Sequence, residues 1–362
     1  MNNNRNQTIQ VAFAGCGTIA PLHLIGLLAQ REAVQLVGLA DPDLDAAKSL
    51  ARQAAELSGQ GEPAVFSSLD ELLAAIHPDV VHILTPHHTH VGLACQALQA
   101  GCHVLLEKPA ATQKADLEIL AEAVRRSGRQ LGICLQNRYN FAAREARQLL
   151  AAKTFGPVLA ARGFLTWWRD DQYYLQSPWR GRWATEGGGL MINQAIHTLD
   201  LLLWLVDEPV TSVKGHLHTD HLEHVIEVED TASLLLRFET GATGVFYATN
   251  AYPASSDPFL EIVCEQAIVR LEGSDRITVL DRSGNLLEPF DQIVKTGEDA
   301  VSEAVDQFIP AGKSYWGKSH ALLIADFYQK VRKEQPFAID LTEGRRALDI
   351  LLDLYEAKRR RQ

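Results

Sequence analysis

The chain opens as an alternation of short apolar runs and longer stretches with helical spacing. Residues 9–15, IQVAFAG, predict a short buried strand, PLHLIGLLAQ a helix, and VQLVGLAD a second strand. The alternation continues with helix 43–58, a strand near AVF, helix SLDELLAAI, strand DVVHILTP (79–86) and helix HVGLACQALQAG (90–101). Strand HVLLEKP (103–109), helix 112–127 and strand QLGICLQN (130–137) complete it. Repeating β-α units of this length predict a parallel, doubly wound sheet. Ligands of such a sheet sit at the carboxyl ends of its strands. Those ends carry Gly15, Asp41, Thr85-Pro86-His87, Glu107-Lys108-Pro109 and Gln136-Asn137-Arg138.

Further along, the period shortens to two. ATGVFYATN, FLEIVCEQAIVRLEG and RITVLD alternate like strands of an antiparallel sheet, and two helices near 319–334 and 342–360 close the chain. At 362 residues the chain is too long for one ordinary core. The change of pattern places a domain boundary near residue 138, with residues 1–138 in one domain and 139–362 in the other.

Between the two patterns lies EGGGLMINQAIHTLDLLLWL, residues 186–205. At 3.6 residues per turn, Asn193, His197, Asp200 and Trp204 fall on one stripe of an otherwise apolar helix. The helix is therefore expected to be buried, with its polar stripe facing a cleft and the glycines letting backbone approach a substrate.

Composition narrows the classes of function. A formal net charge of −11 disfavours nucleic acid as a partner, because phosphates need a basic surface. The basic run KRRR at 358–361 ends a predicted helix, where it complements the helix dipole. No stretch of about 18 uninterrupted apolar residues marks a membrane span. Five scattered cysteines without a CxxC pair fit a reducing cytoplasm. The histidines at 216, 218, 221 and 224 fall in a segment that reads as strands and a connection, with no thiolate among them, so no metal site is assigned.

The chemistry begins with GCGTIA, residues 15–20, between a strand and a helix. Gly15 allows the tight turn, Gly17 the close approach of backbone to a pyrophosphate, and Ala20 close packing of helix on sheet. Thr18 and Ile19 lead into a helix N-terminus whose free N–H groups suit phosphate. Asp41, 21 residues beyond Ala20, suits the adenosine ribose hydroxyls and repels a 2′-phosphate. NAD(H) is thus expected over NADP(H).

GCGTIA, ADPD, TPHHTH, the EKP tripeptide at 107–109, the GGG…NQAIHTLD helix and GKSHALLIADFY at 317–328, in this order, resemble the Gfo/Idh/MocA (glucose–fructose oxidoreductase/inositol dehydrogenase) family. The resemblance implies an N-terminal Rossmann domain and a C-terminal α+β domain with a large, mostly antiparallel sheet. The open face of that sheet would join a homodimer or homotetramer. It also implies a sugar or cyclic polyol as substrate, Lys108 as the active-site lysine and His197 as the active-site histidine. Thr85, Pro86 and His90 match the loop near the nicotinamide, with His87 where the family usually has Asn, and Glu107 precedes the lysine. Many members carry Asp four residues before the histidine, where this chain has Asn193.

Removing hydride from a carbinol requires a base for the hydroxyl proton, and a lysine beside a cationic nicotinamide suits that role. Asn193, Arg138 and Asp200 are expected near the substrate. FLTWWRDDQYYLQSPWRGRW, residues 164–183, adds Trp179 and Arg180 to that group, because aromatic faces stack on sugars and arginine recognises carboxylate or phosphate. A sugar acid or nucleotide sugar falls within this expectation. Two alternatives share the fold: a glycosidase in which tightly held NAD+ is regenerated each cycle, and a non-catalytic dinucleotide-binding regulator.

Overall fold

The computed structural model describes residues 8–287 and 318–360. Six strands, β1 (Ile9–Ala14), β2 (Val34–Ala40), β3 (Ala64–Phe66), β4 (Val80–Ile83), β5 (His103–Glu107) and β6 (Leu131–Cys134), line up in the order β3-β2-β1-β4-β5-β6. Every neighbouring pair is parallel. The order reverses between β1 and β4, so the loops after those two strands diverge and leave a crevice at their carboxyl ends. The central strands are buried on both faces, which explains their nearly unbroken apolar runs. Helix Leu44–Ser58 has its ends fixed locally. Asp43 accepts from the Asp45 and Ala46 N–H groups, and Gly59 terminates the helix in the left-handed conformation.

The chain divides into two compact units, residues 8–136 with 318–345 and residues 137–287 with 346–360. The sequence pattern left everything after residue 138 in the second domain; in the structure, residues 318–345 return to the first. Packing accounts for the return. Helix Lys318–Arg332 lies on helix Ala20–Leu28, and a Cβ added at Gly26 would meet Ile324 Cδ1 at 2.5 Å. Gly132 of β6 is held to a bare Cα by Phe327 and Phe337 in the same way. Burying side chains such as Leu323, Ile324, Phe327 and Tyr328 stabilises this docking by roughly 1.5–3 kcal/mol each.

In the second unit, β7 (Val158–Thr166), β8 (Val210–His218), β9 (Thr231–Phe238), β10 (Thr243–Thr249), β11 (Phe259–Cys264), β12 (Ala267–Glu272) and β13 (Arg276–Asp281) form one sheet in the order β13-β12-β11-β7-β10-β9-β8. Only β7 and β10 pair in parallel. Burial alternates strictly along β9, as expected of a sheet with one covered face. Helix Ile196–Val206 packs on that face, where Gly163 makes room for Leu202. Leu159, Leu235 and Val245 are exposed. Among the described residues, no helix is long and apolar enough to cross a membrane.

The helix expected over 190–205 is interrupted. Leu190–Asn193 and Ile196–Val206 are separate segments, and both the Gln194 and Ala195 N–H groups donate to the Leu190 carbonyl at 2.9 Å. This widened turn offsets Asn193 from the stripe, while His197, Asp200 and Trp204 stay together on the second segment.

Candidate functional site

In the first unit the site begins with Gly15, whose φ is +100°. A Cβ there would lie 2.7 Å from the Leu84 carbonyl oxygen, so only glycine lets the turn after β1 pass the end of β4. A Cβ at Gly17 would meet nothing within 4 Å. Gly17 and Thr18 are exposed and Ile19 half-buried, while Ala20 is buried at the start of its helix. The fit to a dinucleotide rests on this open backbone leading into a helix N-terminus. Asp41 ties the turn together: its carboxylate accepts from the Cys16 N–H at 2.7 Å and from the Asp43 N–H at 2.8 Å. Burial, followed by the charges of Asp41 and Asp43, pushes the Cys16 thiol up to about 12, so it stays protonated beside the turn.

After β4, Thr89 Oγ1 donates to Thr85 Oγ1 at 2.6 Å, and the buried ring of His90 bridges the carbonyls of Thr85 and Pro109, each at 2.8 Å. This ring joins the Thr85-Pro86-His87 loop to the Glu107-Lys108-Pro109 loop, in which the Lys108–Pro109 bond is cis. His87 is buried. Glu107 is buried at the end of β5 and Lys108 half-buried beyond it. The sequence-predicted cofactor residues thus gather on one edge of one unit.

The second unit holds the remaining predicted residues. Arg138 and Asp200 face each other in a bidentate pair, with Nε to Oδ2 at 2.8 Å and Nη2 to Oδ1 at 2.7 Å. Their side chains are 4% and 2% exposed, so the two charges neutralise each other in the interior. Asn193 donates from Nδ2 to Glu186 Oε1 at 2.5 Å. His197 and Trp204 are the two residues of helix Ile196–Val206 that are not fully buried.

Two glycines of EGGG are packed tightly by the protein itself. A Cβ at Gly188 would strike the Tyr355 hydroxyl at 2.4 Å, and one at Gly189 the Glu229 carbonyl at 2.1 Å. They make room for protein within the same unit and are themselves buried. Glu229 accepts from the N–H groups of Gly189 and Met191 and from the Tyr355 hydroxyl, closing the start of helix Leu190–Asn193. Glu186 accepts from the Gly181 N–H and from Asn193. Neither carboxylate was singled out in the sequence, although Glu186 opens the EGGG motif.

Burial pushes the Glu186 carboxyl up to about 7 against the pull of the Gly181 and Asn193 hydrogen bonds. A carboxyl raised on folding contributes stability that is fully present below its ordinary 4.5 and is lost as pH rises through about 7. Glu186→Gln removes that loss. The stability of the Gln variant relative to the parent is expected to rise between pH 4.5 and 7, by up to about 3 kcal/mol, in urea unfolding across that range. A difference independent of pH would refute the buried, proton-holding state of Glu186. An aspartate at position 193 would set a second carboxylate against this one, so Asn193→Asp is expected to be destabilising rather than silent.

In the segment 164–183, Tyr173 is the centre. The guanidinium carbons of Arg169 and Arg180 stand 5.0 and 4.3 Å from its ring centroid, and Arg180 also stacks on Trp179 at 5.4 Å. Among the described residues neither arginine forms an ion pair, and the Nε of each is buried without a hydrogen-bond partner. Gln194 donates to the Tyr173 hydroxyl at 2.8 Å. Of the histidines at 216–224, His216 and His218 stack on each other at 6.0 Å, His221 packs on Trp168 and His224 pairs with Asp171.

Residues 9–134 match the family model described as the oxidoreductase family, NAD-binding Rossmann fold, and residues 143–270 match the GFO/IDH/MocA C-terminal domain. The chain is 27% identical to D-glucoside 3-dehydrogenase of Escherichia coli over 58% of its own length and 57% of that protein's, so it spans little more than half of that relative. It is 25% identical to scyllo-inositol 2-dehydrogenase (NAD(+)) of Bacillus subtilis, covering 76% of this chain and 78% of that one. Its fold superposes with a TM-score of 0.80 and 28% identity on the WlbA dehydrogenase of Bordetella pertussis, solved with NADH and UDP-GlcNAcA, over 98% and 97% of the two chains. With an NAD-binding first unit and a mostly antiparallel second one, the chain belongs to the Gfo/Idh/MocA family of oxidoreductases.

Proposed function

We propose that this protein is an NAD-dependent dehydrogenase that oxidises a hydroxyl carbon of a sugar or cyclic polyol carrying a carboxylate or phosphate. The observation that carries the anionic part is the pair of guanidinium groups on Tyr173, neither of which makes a direct ion pair, although the Arg180 charge reaches the buried Glu186. Each guanidinium spends one Nη1 donor on a backbone carbonyl, and an anion would pair the charge that remains. The UDP-GlcNAcA bound by the WlbA dehydrogenase supports this reading.

Gly15, Gly17, Thr18, Ile19 and Ala20 would hold the pyrophosphate, Asp41 the adenosine ribose, and Thr85, Pro86, His87 and His90 the nicotinamide side. Bound NAD+ supplies the hydride acceptor. Lys108 Nζ, as the free amine, takes the hydroxyl proton while the carbon loses its hydride and the C–O bond becomes C=O. His197 orients the hydroxyl by a hydrogen bond, and Trp179 and Arg180 hold the remainder of the substrate. The exposed face of the seven-stranded sheet, with Leu159, Leu235 and Val245, would serve self-association into a homodimer or homotetramer.

The test is a panel of neutral sugars, sugar acids and nucleotide sugars incubated with NAD+ and followed at the nicotinamide absorbance. NADH is expected to accumulate with anionic members. Arg180→Ala is expected to raise their KM about 10- to 100-fold, the loss of a charged hydrogen bond, with NAD+ affinity unchanged. Glycosidic cleavage without net NADH would replace this reading with the redox-neutral glycosidase. NAD+ binding without turnover of any compound would replace it with the regulator.

A further inference from the structure

Beneath Lys108, two histidines and a tyrosine stand in line behind Glu107 inside the first unit. Tyr328 Oη is 2.7 Å from His82 Nε2, His82 Nδ1 is 2.8 Å from His23 Nδ1, and His23 Nε2 is 2.9 Å from Glu107 Oε1. The other carboxylate oxygen, Oε2, accepts from the Lys108 N–H at 3.2 Å. His23 and His82 are fully buried, and the His82 ring stacks on Phe13 at 5.0 Å. Cys134 completes the surroundings, 3.9 Å from His23 Nε2. His23, Glu107 and Cys134 are close enough to suggest a metal, but the hydrogen bonds among them account for their grouping.

With Glu107 ionised, the hydrogens can be placed along the chain in two ways. If Tyr328 donates to His82 Nε2, then His82 Nδ1–H donates to His23 Nδ1, and His23 Nε2–H donates to Glu107. If instead His23 carries both hydrogens, it donates at once to His82 and to Glu107, and Tyr328 accepts. In both arrangements His23 Nε2 bears a hydrogen and Glu107 is the ionised acceptor. Burial alone would raise the Glu107 carboxyl; the His23 hydrogen bond, with His320 and Lys108 nearby, instead holds it well below the carboxylate range. Burial, reinforced by His23, keeps His82 low, and burial pushes His320 down to about 4 and the Cys134 thiol well up.

We propose that Tyr328, His82 and His23 are positioning residues that hold an ionised Glu107 under Lys108, fixing the lysine's backbone and supplying the negative charge its ammonium faces. This rests on the reading of Lys108 as the proton-exchanging group. It extends the site to a helix more than 200 residues away in sequence, through a buried hydrogen-bond chain.

The test has two arms. In the first, 15N NMR of histidine-labelled holoenzyme should show His23 Nε2 as a protonated nitrogen, with that signal displaced in Glu107→Gln; an unprotonated Nε2 would overturn the proposal whether or not a substrate is known. The second arm measures single-turnover rate against pH. Removing the carboxylate charge lets the Lys108 ammonium lose its proton more readily, so Glu107→Gln should move the ascending limb to lower pH by about one unit. Tyr328→Phe should move it the same way by less and lower kcat about tenfold, with NAD+ affinity unchanged. His82→Asn, which offers a hydrogen-bonding side chain in place of the ring, should retain more kcat than His82→Leu. A limb that stays in place in both Glu107→Gln and Tyr328→Phe, while Lys108→Ala abolishes it, overturns the relay and leaves the role of Lys108 intact. A silent Lys108→Ala overturns that role instead.

Discussion

Replacing Lys108 with alanine will slow hydride transfer about 10²- to 10⁴-fold in single turnover with bound NAD+, the range typical for loss of a general acid–base group. His197→Ala will cost less. The reason lies in what each side chain faces. Lys108 follows β5 directly, its N–H donates to the buried carboxylate of Glu107, and its charge helps hold that carboxylate ionised. In the second unit the nearby Asn193 supplies no net charge to stabilise an imidazolium at His197, and its amide donates to Glu186. Single-turnover absorbance with each variant decides between them. If His197→Ala is the more damaging change and Lys108→Ala is nearly silent, the two roles are reversed.

Arg138→Met will destabilise the protein by about 3–5 kcal/mol, the usual cost of leaving one member of a buried ion pair without its partner. Asp200 would then hold a carboxylate at 2% exposure with its two guanidinium hydrogen bonds gone. The double variant Arg138→Met/Asp200→Leu will recover most of that loss, because apolar groups of similar size remove the desolvation penalty together with the attraction. Arg138 also stacks on Trp204 at 5.4 Å, a contact that methionine's flexible chain partly keeps. Denaturant midpoints of the parent, the two single variants and the double give the coupling directly. A single substitution costing under about 1 kcal/mol would mean that water reaches the pair.

The first sheet was legible because strands buried on both faces leave apolar runs, and because GCGTIA and Asp41 sit at fixed offsets from them. The candidate site was legible where it depends on such local spacing: Gly15, Gly17, Asp41, Glu107 and Lys108 fall on one edge as read. What depends on partners far along the chain was not. Asp200 reads as part of a polar stripe until Arg138, 62 residues earlier, takes both its oxygens. The break at Gln194 and Ala195 carries neither proline nor glycine; it appears only with the Leu190 carbonyl receiving two N–H groups and Glu229 holding the helix start. His23 and His82 sit in apolar runs and look like core residues, and nothing local points to Tyr328.

The return of residues 318–345 to the first unit bears on how the protein is made. While the ribosome is still elongating the second unit, helix Ala20–Leu28 has the groove at Gly26 but not the Ile324 that fills it. His82 likewise waits for Tyr328, and β6 for the aromatic rings that cover Gly132. A nascent chain released at residue 138 would carry the whole nucleotide-binding sheet with its apolar helix surface and its buried histidines open to water. The cofactor domain, first in sequence, is among the last parts of the molecule to be finished.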